Sequence, residues 1–330
     1  MALKGNGLPN IVDIMEATDA NGTMPDVAML LAEENPIILH LPFYEANEAM
    51  SHTEMVQVSL PNSEVRLFNR GVKATHGKTT KIKDGIAMFE QRAIVDVEIA
   101  NLNGNSAKWR MMQNKSHLER MSQDVSDQVF YGNENSAEDN TAGLATRYNS
   151  LSGELGKYVI DAGGTTGALT SIYIVVWGED TVNCRYPKGQ SKELLSDEDN
   201  GKVTIDQGNG RRLDAYETVY KSKIGISVRD HRYVVRIANI PVANLDKKGD
   251  AVDLWDYINT AEHVIKKIRP GKTFAYMPRT VAAYLDKQSL NKENVRLKQT
   301  EVDGTLLDNS RGIYFSTCDS ILETEEVVTA

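Results

Sequence analysis

The residues best suited to chemistry are few and scattered. The cluster Gly163-Gly164-Thr165-Thr166-Gly167 has the composition of a phosphate-cradling loop. Such a loop follows a strand, opens a helix and ends in Lys-Ser or Lys-Thr, so that backbone amides and a lysine converge on the anion. This one precedes an apolar strand and carries no lysine, and it reads as a flexible turn. Asp161-Ala162-Gly163 is a fragment of an aspartic-protease signature without the second copy that would share its proton. Asp197, Glu198, Asp199 and Gly201 begin like a calcium loop, but the twelfth position, which must supply a bidentate glutamate, is Gly208. A solvated acidic turn is expected there. The histidines at 40, 52, 76, 117, 231 and 263 contain no i, i+4 pair for a metal. Cys184 and Cys318 have no companion cysteine or adjacent histidine, so both are expected to be small buried hydrophobes. The sequons Asn21-Gly22-Thr23 and Asn114-Lys115-Ser116 require a secretory route, and residues 1–13 carry one lysine and no apolar run of signal-peptide length. No catalytic, cofactor or metal constellation survives, and the expectation is a protein that is not an enzyme.

The chain has 330 residues with 37 Lys plus Arg against 46 Asp plus Glu, a net charge of -9 that disfavours a dedicated nucleic-acid surface. Its length predicts two or three packed units. The strongest apolar run, residues 172–177, is far shorter than the roughly 20 residues that span a bilayer, so no membrane partner is expected. Residues 1–50 read as an extended arm with one short apolar helix at 27–31 between prolines. From Thr53, Val56, Val58 and Leu60 alternate with polar residues as in a strand. Asp84-Gly85 between 81–83 and 86–88 predicts a tight hairpin turn, and Ala93, Val95, Val97 and Ile99 continue the alternation. The segment 70–83 is basic and nearly devoid of large apolar side chains. It cannot fold on a core of its own and is read as an arm projecting from the body. A helix is predicted from Asn105 or Ser106 to Gly132, about 40 Å long, with Trp109, Met112, Leu118, Met121, Val125 and Val129 as its apolar stripe and Gly132 as a left-handed cap. Residues 170–240 read as a mainly antiparallel sheet and 245–250 as a linker. A helix carrying Val252, Trp255, Ile258, Ala261 and Ile265 follows, then a strand at 273–277, a helix opening at 281–285 and a last strand from Ile313.

This order, arm, basic hairpin, long helix ending in Phe130-Tyr131-Gly132-Asn133, sheet and α/β tail, resembles the major capsid proteins of tailed bacteriophages, in particular the short-tailed branch of phage epsilon-fifteen and the Bordetella phage. The similarity is most specific at residues 176–182, at Tyr186-Pro187-Lys188-Gly189, at 225–240 and, in the tail, at Arg311-Gly312-Ile313-Tyr314, which leads to residues 318–322 and Glu325. The resemblance implies an α+β, Hong Kong 97-like capsid fold. It divides the chain into an N-terminal arm (1–48), an extended β-hairpin loop (49–103), a peripheral domain with spine helix and β-sheet (104–250) and an axial α/β domain (251–330), with a rearranged strand order. It also implies self-assembly as hexamers and pentamers into an icosahedral head around double-stranded DNA, held without sequence-specific binding. A separate scaffolding protein, a portal protein and, where present, a cement protein would be its partners. Arg70, Lys73, Lys78, Lys81 and Lys83 are the candidates for contact with a neighbouring subunit. The alternative is a tail-tube or head-completion protein, which would share the acidic charge and the extended hairpin.

Overall fold

The computed structural model describes residues 35–101, 106–134, 141–190, 196–208, 210–245, 252–266, 270–291, 298–302 and 305–330. The apolar helix expected at 27–31, most of the arm and the linker at 246–250 lie outside these. The strands, in chain order, are β1 (Phe43–Glu45), β2 (Ser51–Ser59), β3 (Lys78–Gly85), β4 (Ala87–Asp96), β5 (Val159–Asp161), β6 (Leu169–Trp177), β7 (Val182–Tyr186), β8 (Ser196–Gly208), β9 (Arg211–Val228), β10 (Val234–Pro241), β11 (Lys272–Met277), β12 (Lys298–Val302), β13 (Thr305–Ser310) and β14 (Ile313–Thr317). Three longer helices accompany them: α1 (Ser106–Tyr131), α2 (Leu254–Val264) and α3 (Arg279–Asn291).

β6 is the centre of the fold. All nine of its residues are buried, as a strand covered on both faces must be, and its continuous apolar run reflects this. It pairs antiparallel with β10 on one side and β11 on the other, so that Val175 faces both Val234 and Phe274. β11 pairs in parallel with β14. Hydrogen bonding therefore runs without a break between strands on either side of residue 250. β9 links the two regions: residues 215–221 lie between β4 and β8, residues 222–224 continue along β4, and residues 225–228 pair with β7. The predominantly antiparallel reading of 170–240 holds, and β10 and β7 add parallel pairings with β5 and β1.

α1 packs on β4 and β9 through buried Met121, Val125, Ser126 and Val129. Its end is sealed by buried Phe130 against Tyr173, with ring centroids 5.2 Å apart. The side chains of Trp109 and Met112 lie outside the described ones. Gly132 is not the left-handed cap expected, because its φ is not positive. It is required instead by close approach: its carbonyl accepts from the amide of Gly143 at 2.7 Å, and a Cβ would fall on the carbonyl oxygen of Thr141. Gly132→Ala should accordingly destabilise the free subunit by about 1–3 kcal/mol, as overpacking does. A lowered midpoint in chemical denaturation checks it, and an unchanged midpoint would show that the two segments can part.

Two further readings are corrected. Asp84-Gly85 is not a hairpin turn: β3 pairs with β2 and β4 with β9, so the chain passes almost straight from a two-stranded ribbon into the main sheet. The Asp84 carboxylate is buried against Arg147 at 2.7 Å, and this partner 63 residues away overrides the local turn preference. The acidic turn expected at 197–201 lies within β8, where the register shifts between Asp199 and Gly201 and Gly201, at φ +66°, takes up the extra residue as a bulge. The hairpin β12–β13 had no expectation, since its residues are mostly polar.

Candidate assembly interface

The ribbon β2–β3 runs in register from Ser51 opposite Gly85 to Gln57 opposite Thr79. Two ion-pair centres fix its base. Glu54 Oε1 accepts from Arg185 Nη2 at 2.9 Å and from His52 Nε2 at 2.8 Å, while His52 Nδ1 accepts the amide of Asn47. On the other strand, Arg147 donates to Asp84 and also to the carbonyls of Ile226 and Ala142. Both carboxylates sit in the body, so the ribbon leaves it at a set direction.

Beyond the ribbon the chain has nothing to pack on. Val65 is 95% exposed and Phe68 101%. The tip is ordered only by local bonds: Arg70 N–H to the carbonyl of Leu67, Arg66 Nε to the carbonyl of Arg70, and Thr75 Oγ1 to the carbonyl of Asn62. Asn69, at φ +59°, closes the turn, a conformation asparagine tolerates. A two-stranded hairpin is marginal by itself in water, and a large exposed apolar patch is the kind of surface that marks interaction sites.

The five expected contact residues all lie on this element, but not together. Arg70 and Lys73 are on the tip, Lys81 and Lys83 share one face of β3, and Lys78 faces the other way. Lys83 reaches Glu48 of its own chain at 3.6 Å. No ion pair within the chain is found for the other four among the described residues. Sequence reasoning missed Arg66 and the run Val65, Leu67 and Phe68. An apolar cluster in a stretch with neither helical nor strand periodicity was the available signal.

The closest approach to an active-site constellation lies elsewhere. Glu325, deeply buried, accepts from Arg236 Nη2 at 2.9 Å, Tyr173 OH at 2.9 Å, Tyr131 OH at 2.6 Å and Ser171 Oγ. Arg236 spends its other donors on the carbonyls of Tyr148 and Ala145 and on Ser171. Burial, with the neighbouring tyrosine and Glu325, pushes the Tyr131 hydroxyl far above its ordinary value, and burial does the same for Tyr173. Both remain protonated donors. Every group is satisfied internally, so the cluster is a lock that ties the chain near Glu325 to β6, β10 and the end of α1. Burial likewise raises the Cys184 thiol well above its usual range, as a small core hydrophobe requires. Asp161 caps the Gly163 amide at 2.9 Å, and Gly163 and Gly167 have positive φ, so the glycine cluster is the turn it was read to be. Among the described residues, no group of three or more His, Cys, Asp or Glu is placed to hold a metal, and no helix is long and apolar enough to cross a membrane.

Three comparisons bear on this geometry. The family model described as "Major capsid protein GP7" matches residues 19–329. Among solved structures, the chain is similar to a near-atomic cryo-EM structure of bacteriophage Epsilon15, with 29% identity, 100% of each chain covered and a TM-score of 0.76. A capsid of bacteriophage JBD30 also matches, with 12% identity over 88% of this chain and 92% of that one, at a TM-score of 0.48. No curated protein matches.

Proposed function

The chain belongs to the major capsid protein GP7 family, and from that premise we propose how this structural, non-enzymatic component of the tailed-phage head builds its shell. Its fold is the mixed α+β, Hong Kong 97-like capsid fold, and it acts in the virion as a homo-oligomer. The family excludes the tail-tube and head-completion alternatives. Hexamers and pentamers close an icosahedral head around double-stranded DNA. Of the region 49–103, the ribbon β2–β3 and its tip, residues 51–85, lie across a neighbour, with Arg70, Lys73, Lys78 and Lys81 meeting its carboxylates. A separate scaffolding protein templates assembly, a portal occupies one vertex, and a cement protein binds where the shell needs one.

The arm remains residues 1–48. The strand pairings support drawing the remaining units differently from the 104–250 and 251–330 division: a peripheral unit of β4, α1, β8 and residues 211–224 of β9, and an axial unit of residues 141–190 and 225–330.

The observation that carries this reading is the exposed, cationic, core-less tip of the hairpin. Reversing Lys73 and Lys78 together to glutamate tests it. Assembly should fail or require altered salt while the free subunit keeps its circular dichroism spectrum, because exposed pairs between subunits are screened over about 8 Å at physiological ionic strength. Shells of normal yield from the double variant would overturn the role given to these cations.

A further inference from the structure

Among the described residues, two grooves of the body are large enough for a side chain from another copy, and charge separates them. The first, about 520 Å³, lies under the chain's own hairpin base and is lined by Lys157, Arg229 and Arg232. It also carries three acids, Glu154, Asp180 and Asp230, the last two already paired with Arg229 and Arg232, so its charges balance and it offers a basic tip no net attraction. The second, about 450 Å³, lies between the end of α1 and the C-terminal segment and is lined by Tyr131, Ala145, Leu322, Val327 and Val328 with Glu326 at its rim. Leu322 and Val327 are 50% and 39% exposed, an apolar pair left uncovered. Glu323 and Glu326 have no ion pair within the chain among the described residues. The groove floor is Arg236 with Glu325, so its shape is set before anything binds. The tip has the complementary pattern. Between residues 60 and 77 the one carboxylate is Glu64, against Arg66, Arg70 and Lys73, and the apolar side chains are exposed beside them.

We propose that Phe68 of one subunit seats in the groove beside Leu322 and Val327 of a second copy, with Arg70 and Lys73 facing Glu323 and Glu326. This rests on the reading that the hairpin lies across a neighbour and adds where it lands. An aromatic ring is the natural anchor, since it removes a large apolar area from water at little rotamer cost. The flanking charges fix register and favour the acid-rimmed groove over the charge-balanced one.

Placing the photo-crosslinker p-benzoylphenylalanine at position 68 tests this in assembled shells. The expected result is a dimer band on denaturing gels whose linked peptide contains residues 322–328. Dimers linked at any other site would overturn the landing place while leaving the hairpin reading intact. Absence of dimers would overturn both. An independent readout is Glu326→Lys, which should reduce shell yield without unfolding the subunit, with restoration by adding Lys73→Glu. Normal yield from the single variant, or no restoration in the pair, would count against the proposed facing. A probe at Val327 that captures residues 1–34 would assign the groove to the arm and overturn the proposal.

Discussion

Glu325→Ala is expected to lower the stability of the free subunit by about 3–5 kcal/mol, because it leaves the Arg236 guanidinium buried without its counter-charge. Such a loss is a large share of the 5–15 kcal/mol typical of a folded domain. The variant also strands the hydroxyls of Tyr131 and Tyr173, which now donate to the same carboxylate. The effect should be strongly non-additive: replacing Arg236 and Glu325 together by methionine should cost less than Glu325→Ala alone, since no unpaired charge remains. Urea denaturation of free subunits measures both variants. A Glu325→Ala cost under about 1 kcal/mol, as for an exposed pair, would show that water enters and solvates Arg236.

Replacing residues 61–76 by a two-residue Asn-Gly turn should abolish shell formation while leaving the subunit folded. The ribbon β2–β3 stays anchored by Glu54 and Asp84, and no buried side chain is removed between residues 60 and 77. The free subunit's denaturation midpoint should therefore barely move. In assembly, however, ordering the tip costs about 1–2 kcal/mol per residue, which contacts on the neighbour must offset. The same reasoning expects amide exchange at 60–77 to be fast in free subunits and slow in shells. Sedimentation of the shortened variant decides the point, and shells of normal size would remove the hairpin tip from the assembly mechanism.

What local pattern alone governs was legible. The buried run 169–177, the amphipathic α2 and the 26-residue α1 follow from periodicity, since each buries a face whose spacing is written in consecutive residues. The coreless basic stretch was equally readable, because a segment with almost no large apolar side chains has nothing to fold on, although the apolar tip just ahead of it went unread. The family was legible through motif order. The exclusion of chemistry was legible too, at each place where a required residue type is missing from its required position.

Contacts between distant residues decided the rest. Asp84-Gly85 has the composition of a turn, and only the buried Arg147 keeps it extended. Gly132 has the composition of a cap, and only the approach of Gly143 makes it a contact glycine. The Glu325 lock joins residues 131, 171, 173, 236 and 325, separated by up to 194 positions, and although some of them lie in the motifs that carry the resemblance, no local pattern shows that they meet. Sequence by itself thus determined the long helices, the central buried strand and the unsupported arm, because those depend on spacing within one segment. Which strands share a sheet, where the charged groups are buried and which way the hairpin leaves the body were decided by the tertiary structure. Those depend on pairing free energies between parts of the chain that meet only once it has folded.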